Sequence, residues 1–367
     1  MASVARHQYT EVWSRSGGFY SDLSCADISP DGDNLAAGSG NTLIIGSLSD
    51  GREQLALTGN GRVSAVRWAQ TPLKLGHYRP TLVCGFEDGL VVAVSILATH
   101  YQILGFQGYI GQPLVHLDLS CDGQRLTTGS KTHLWTWNFV HGDWKPLASW
   151  HAVPQQVEDA TEVEITSLCT VPGDPHLLLV AYQANGVFVW DIAQQVSLRS
   201  IVVSPNPIGR VVMSPQGDSL AVVRSSGVVI YDFLSGQMVS KASTTTGVSS
   251  PVAFIHNGKG LLGTYNTDRG AWWRTDLREQ TAPLGTFKHP ESPLTGVAGF
   301  ESNATGFLVL TVSQNVIRLW GSDPTLFVTY ATQRTAKEPY RTLIYTSFIM
   351  IAVAAVVVAF VTAYLSK

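Results

Sequence analysis

The amino-acid sequence predicts an all-β fold, a seven-bladed β-propeller, followed by one C-terminal transmembrane α-helix. Three observations carry that expectation. The first is a recurring strand. Gly186–Ile192 reads Gly-Val-Phe-Val-Trp-Asp-Ile, and its alternation puts Val187 and Val189 on one face and Phe188 and Trp190 on the other. Both faces are apolar, so this strand must be covered on both sides. Variants stand at Leu134–Asn138, Val228–Phe233, Ala271–Arg274 and Val316–Gly321. Their aromatic markers Trp137, Trp190, Tyr231, Trp273 and Trp320 lie 53, 41, 42 and 47 residues apart by subtraction. A period of about 40 to 50 residues, with several short strands in each, is the spacing of propeller blades. The second observation is turn chemistry. Asp-Gly, Asn-Gly and Ser-Gly pairs separate the short apolar runs, as in hairpins, and no long amphipathic helical period appears before residue 325. The third is the stretch 343–365, whose only ionisable side chains are Tyr345 and Tyr364. As a helix it would reach about 34 Å, enough to cross the ~30 Å hydrocarbon core of a bilayer.

Composition narrows the functional classes. Charged residues make up 14% of the 367, well below the roughly 25% of ordinary soluble domains. Net charge is −3. Arg334, Lys337, Arg341 and Lys367 against Glu338 give the tail +3, which leaves −6 on residues 1–324. An acidic domain without Lys/Arg clusters argues against nucleic acid as a partner. Cys25, Cys84, Cys121 and Cys169 are scattered without a C-x-x-C pair. At least Cys25, Cys84 and Cys169 are expected as small strand residues of the core, reduced and outside any disulfide framework. Met1–Trp13 lacks an apolar h-region, so no secretory signal is expected there.

Along the chain, Gln8–Trp13 reads as a strand standing alone before Gly17-Gly18. Seven units follow: Ser24–Leu57, Val63–Phe106, Leu114–Trp150, Glu164–Val203, Ile208–Ala242, Pro251–Phe287 and Leu294–Gly321. The second is interrupted by a turn-rich insertion, Gln70–Pro80. A polar, acidic segment, Ala152–Glu162, is expected as a long exposed connection. The last unit has three strands, so pairing it with Gln8–Trp13 would close the ring and remove the open edges that invite aggregation. Thr325–Tyr330 competes for that place. The domain plan is therefore a propeller over 1–324 with strand 8–13 closing the last blade, a linker over 325–342 and a membrane helix over 343–365.

The units resemble WD40 repeats over roughly residues 8–321. Trp190-Asp191 matches the signature ending of that repeat, with Tyr231-Asp232 and Trp137-Asn138 close to it. The run Ser-Pro-Asp-Gly-x-x-Leu at Ser29–Leu35, echoed at Ser120–Leu126 and Ser214–Leu220, resembles the turn between its first two strands. The Gly-His dipeptide of regular repeats is missing from the unit starts, since Gly76-His77 falls in the insertion. The His/Ser/Trp/Asp hydrogen-bond network that accompanies it is therefore not expected. Propellers of this family generally bind proteins or peptides, and the resemblance implies a non-catalytic scaffold. The markers Trp137, Trp190, Asp191, Tyr231, Asp232, Trp273 and Trp320 are read as structure, with Asp191 tying a turn.

The tail sets the expected location. Basic residues preceding the span agree with a cytosolic propeller, and Tyr345 and Tyr364 sit where interface anchors would. The layout resembles a tail-anchored protein of an organelle membrane, endoplasmic reticulum first and mitochondrial outer membrane second. The triplet Asn303-Ala304-Thr305 would then stay unglycosylated. Ala355, Ala359 and Ala363 share one helix face and would permit weak self-association.

Enzymatic motifs are absent from the sequence. There is no G-x-x-x-x-G-K-[ST], H-E-x-x-H or G-x-S-x-G, and no histidine has metal-ligand spacing, so no catalytic, cofactor or metal residue is named. His116, beside Asp118, is expected to face inward structurally. Trp144, Trp150, Trp272 and Trp273 are weighed as interface anchors against packing between blades. Two further functions stay open. One is nucleotide exchange on a small GTPase in vesicle coat assembly, suggested by similarity to the membrane-anchored propeller that initiates the COPII coat, although Gly38-Ser39-Gly40-Asn41 is too short to carry over that family's cation loop. The other is a propeller hydrolase with carboxylates converging in a central pocket.

Overall fold

A computed structural model describes residues 9–322 apart from 73–77, 98–99, 109–112, 155–162, 202–206, 244–246, 248, 267–268, 277–278, 281, 290–292 and 302–305. Strands are numbered along the chain. The first, β1 (Thr10–Ser16), belongs to the last blade. Blade 1 is β2 (Leu23–Ile28), β3 (Asn34–Ser39), β4 (Thr42–Ser47) and β5 (Glu53–Thr58). Blade 2 is β6 (Val63–Pro72), β7 (Tyr78–Phe86), β8 (Leu90–Ile96) and β9 (Tyr101–Gln107). Blade 3 is β10 (His116–Leu119), β11 (Arg125–Gly129), β12 (His133–Val140) and β13 (Asp143–His151), and blade 4 is β14 (Ile165–Val171), β15 (Asp174–Tyr182), β16 (Gly186–Asp191) and β17 (Val196–Ile201). Blade 5 holds β18 (Ile208–Met213), β19 (Ser219–Arg224), β20 (Gly227–Asp232) and β21 (Met238–Ala242). Blade 6 holds β22 (Val252–Ile255), β23 (Gly260–Asn266), β24 (Arg269–Arg274) and β26 (Gly285–Lys288). Blade 7 is β27 (Leu294–Glu301), β28 (Phe307–Ser313), β29 (Val316–Gly321) and β1.

The first strand of each blade packs on the first strand of the next: β2 on β6, then β10, β14, β18, β22, β27 and back to β2. These seven inner strands form the wall of the axis. Closure comes from the N-terminal side. Antiparallel pairing sets Thr10 against Gly321 and Ser16 against Val316, and Arg318 Nη1 meets Glu11 Oε2 at 2.5 Å. The closing strand thus begins two residues later than Gln8 and runs past Trp13 to Ser16. The rival segment Thr325–Tyr330 lies outside the described residues. On the axial side, Gly296 lets blade 7 approach blade 1. A Cβ there would stand 3.0 Å from the backbone nitrogen of Ala26.

The strand that introduced the repeat sits where its two apolar faces require. On one side Val187 and Val189 of β16 pack with Val222, Val229 and Tyr231 of blade 5. On the other, Phe188 and Trp190 pack with Leu134 and Trp150 of blade 3. Blade interfaces elsewhere repeat this interdigitation, for example Leu43 and Ile45 against Val66 and Leu82. At about 25 cal/mol per Å2, burial of this kind is the main force holding the ring.

Three expectations are corrected. Part of the insertion in blade 2 is strand, because β6 runs on to Pro72 and β7 starts at Tyr78, pairing Gln70 with Pro80. The segment after β13 is not exposed at its start, since Ala152 and Pro154 are buried. Blade 5 gains a fifth strand: β25 (Glu279–Gln280), from the chain between β24 and β26, pairs in parallel with β21.

The chain divides into Met1–Asp323 and Pro324–Lys367, and the second part lies outside the described residues. So do the linker 325–342, the apolar run 343–365, Tyr345, Tyr364, Ala355, Ala359, Ala363 and the triplet at Asn303. Among the described residues no helix is long and apolar enough to cross a membrane.

Candidate functional site: a rim cavity and a charged axis

The markers Trp137, Trp190, Tyr231, Trp273 and Trp320 all lie on the third strand of their blades and all are buried. Asp191 Oδ1 accepts from the backbone nitrogens of Ala193 and Gln194 at 2.8 and 3.0 Å, and Asp232 Oδ1 accepts from Ser235 N at 2.8 Å. Both carboxylates therefore cap turns. Trp144, Trp150, Trp272 and Trp273 are buried as well, which removes them as exposed anchors.

Part of the hydrogen-bond network that the missing Gly-His argued against is present among the described residues, as a His–Thr–Trp chain in blade 7 and a Thr–Trp pair in blade 3. In blade 7, Trp320 Nε1 donates to Thr311 Oγ1 at 2.7 Å, and His289 Nε2 lies 2.6 Å from the same hydroxyl. Blade 3 has Trp137 Nε1 donating to Thr128 Oγ1 at 3.3 Å, with the carbonyl of Gly108 in place of the imidazole. Burial holds the pKa of His289 down at about 4, so its ring is neutral at pH 7.

Turn serines fix the inner strands. Ser29, Ser120 and Ser214 each accept from the backbone nitrogen five residues on, at 2.9, 2.9 and 3.0 Å. Beside those turns, at one rim of the ring, blades 6 and 7 leave a cavity of about 90 Å3 between Phe254, Ile255, His256, Phe300, Glu301 and Phe307. His256 and Asn257 hold the left-handed backbone of the β22–β23 turn, with φ of 54° and 51°. The Tyr9 hydroxyl meets His256 Nε2 at 3.0 Å and fixes that ring. This opening is smaller than the roughly 150 Å3 apolar cavity that admits benzene. It suits one side chain better than a metabolite.

The axis itself is charged. Counting back from Ser29, Ser120 and Ser214, the residues two earlier are Asp27, Asp118 and Val212, and those four earlier are Cys25, His116 and Arg210. In blades 2 and 4, Trp68 and Thr170 stand opposite Leu82 and Leu178, as Ile28 and Leu119 stand opposite Leu35 and Leu126. That register puts Arg67 and Cys169 on the level of Asp27 and Asp118. It puts Ala65 and Ser167 on the level of Cys25, His116 and Arg210.

On the first level every carboxylate oxygen is engaged. Asp27 accepts from Ile28 N and Trp68 N, both at 2.9 Å. Asp118 accepts from Arg67 Nε at 3.1 Å and from Thr170 N at 2.6 Å. Each thus ties its inner strand to the next blade. Burial raises the pKa of Asp27 against the pull of Arg67 and the two amides. Burial also works against the charge of Arg67, and Asp118 and Asp27 outweigh it. On the second level His116 gives Nε2–H to the carbonyl of Ile165 at 2.9 Å, the inward structural placement expected of it.

Cys84 is buried, Cys25 and Cys169 are half-buried and Cys121 is exposed, all as free thiols. The Gly38–Asn41 segment is the tip of the β3–β4 hairpin. Gly40 adopts a φ of 54° and donates to the carbonyl of Asp22 at 3.0 Å. Among the described residues no group of three His, Cys, Asp or Glu side chains is placed to hold a metal ion. Arg67, Arg210, His289 and the rim cavity were not singled out by sequence. Neither a known protein-family model nor a curated protein sequence matches the chain, so its assignment rests on the fold: a seven-bladed β-propeller.

Proposed function

We propose that this chain is a non-catalytic interaction scaffold, a divergent WD40-like propeller carried on an organelle membrane by residues 343–365. The observation that carries the binding half of this reading is the rim cavity between blades 6 and 7. It offers aromatic walls, Phe254, Phe300 and Phe307, with the exposed carboxylate of Glu301 at its edge. That combination suits a partner peptide that inserts one apolar side chain and sets a basic residue against Glu301. The closed ring favours such a use, because its sheets are consumed in packing and leave rims and axis for recognition. Engagement of Asp27 and Asp118 with backbone amides and Arg67 favours a structural over an acid–base role for the axial carboxylates. The length and composition of 343–365 support membrane attachment.

Proximity labelling from an N-terminal tag on the full chain tests both halves. The proposal expects a reproducible set of membrane-associated partners that shrinks when Glu301→Arg reverses the edge charge. Removal of 343–365 should release the protein from membranes. A partner set unchanged by Glu301→Arg, or membrane retention without 343–365, would overturn the corresponding half.

A further inference from the structure

Among the described residues, Arg67 and Arg210 bring guanidinium groups to the axis, and only Arg67 has a counter-ion there. Arg67 holds Asp118 at 3.1 Å, and both carboxylates of the first level are committed to it and to backbone amides. Arg210 stands on the second level with Cys25, Ala65, His116 and Ser167, a set without a carboxylate. Its guanidinium makes no hydrogen bond or ion pair among the described residues, and the side chain is half-buried. Burial and the like charge of Arg67 bring its pKa down to about 10, which leaves it protonated at pH 7. An unpaired guanidinium with five donors, next to a second cation and open to the axis, is available to an anion in a partly desolvated setting.

The neighbours define what would complete it. His116 spends Nε2–H on the Ile165 carbonyl. Burial depresses its pKa to about 4, and Arg210 adds to the effect while Glu164 opposes it, so at pH 7 the ring is neutral and Nδ1 presents a lone pair. That Nδ1 has no hydrogen bond among the described residues. Ser167 is occupied in donating to the carbonyl of Val211 at 3.3 Å. The level therefore offers a cationic fork and an acceptor. A ligand matching both carries negative oxygens for Arg210 and one O–H for His116. Inorganic phosphate keeps an O–H at neutral pH, whereas sulfate and the dianion of a phosphomonoester have none.

We propose that Arg210 and His116 form a binding site for inorganic hydrogenphosphate on the axis of the propeller. The site is independent of the rim cavity, and its ligand is a free anion, neither a peptide nor a lipid headgroup. Occupation would neutralise the second level and tie blade 5 to blade 3 across the axis.

Calorimetric titration of the full chain in phospholipid-free detergent, with inorganic phosphate at neutral pH, tests it. The expected result is saturable single-site binding, about tenfold or more tighter than sulfate or methyl phosphate at matched ionic strength. Arg210→Met should weaken phosphate binding about tenfold or more while keeping the melting temperature in phosphate-free buffer, because it removes an unpaired cation. Phosphate heats equal to those of chloride would overturn the proposal. So would sulfate or methyl phosphate binding as tightly as phosphate, or an unaltered Kd in Arg210→Met. Should that variant fail to fold, Arg210→Lys decides: severalfold weaker binding, from loss of the fork, supports the site, and an unchanged Kd removes it.

Discussion

Replacing Thr311 by valine keeps the shape of a fully buried residue and removes one hydroxyl. That hydroxyl accepts from Trp320 Nε1 at 2.7 Å and meets His289 Nε2 at 2.6 Å, and both partner rings are buried. The variant strands two polar atoms, each costing about 1–3 kcal/mol. The expected destabilisation is about 2–6 kcal/mol, read from denaturant unfolding of the full chain in detergent. A pH signature belongs to the same network. Folded His289 stays neutral down to about 4, whereas an unfolded histidine protonates near 6.5. The unfolded state then binds more protons between those values, so stability falls as pH drops from 6.5 toward 4 and levels off below. The depression corresponds to about 3 kcal/mol at its limit. His289→Gln should flatten that part of the profile by a similar amount. A Thr311→Val cost below about 1 kcal/mol, together with an unchanged profile in His289→Gln, would refute a network of this kind in blade 7.

Further outcomes follow from the same structure. Thr128→Val in blade 3 should cost a similar amount, about 2–6 kcal/mol, because Trp137 Nε1 loses its acceptor and the Gly108 carbonyl loses its donor. Trp190→Ala should cost about 3–5 kcal/mol in unfolding experiments and, where the chain stays folded, leave the partner set from proximity labelling intact. Loss of one partner from a stably folded variant would contradict its scaffold role. Gly296→Val places a branched side chain against the backbone of Ala26 and Cys25 and should cost about 1–3 kcal/mol, seen as a lower melting temperature. Equal stability would show that blades 1 and 7 do not meet there as closely as described.

What sequence could and could not reveal divides by range. The apolar third strands were legible because alternation is local, and a strand with Val187 and Val189 on one face and Phe188 and Trp190 on the other can only sit between blades. The turns at Ser29, Ser120 and Ser214 were legible for the same reason, since each hydroxyl caps a nitrogen five residues away. The charged axis was not. Asp27, Arg67, His116, Asp118 and Arg210 come from blades 1, 2, 3 and 5, and only the shared register of the inner strands unites them. His289 also escaped notice, because the dipeptide expected to mark it is Lys288-His289 here. β25 was hidden for a further reason: a two-residue strand is too short to show an alternation in the sequence. The rim cavity depends on the meeting of two turns and two strand ends, which no spacing encodes.

Closure of the ring by its own N-terminal side underlies every other conclusion, because it leaves the rims and the axis as the surfaces free for recognition. Disulfide trapping measures it directly. Ser16→Cys with Val316→Cys, in a Cys121→Ser background, joins a registered pair of β1 and β29 within the one chain. Offset partners such as Ser16→Cys with Arg318→Cys lie about 7–8 Å apart on the diagonal, beyond comfortable disulfide reach. The account predicts rapid intramolecular cross-linking of the registered pair and little of the offset pair. Equal trapping of both, or trapping of neither, would contradict a propeller closed by β1 on β29.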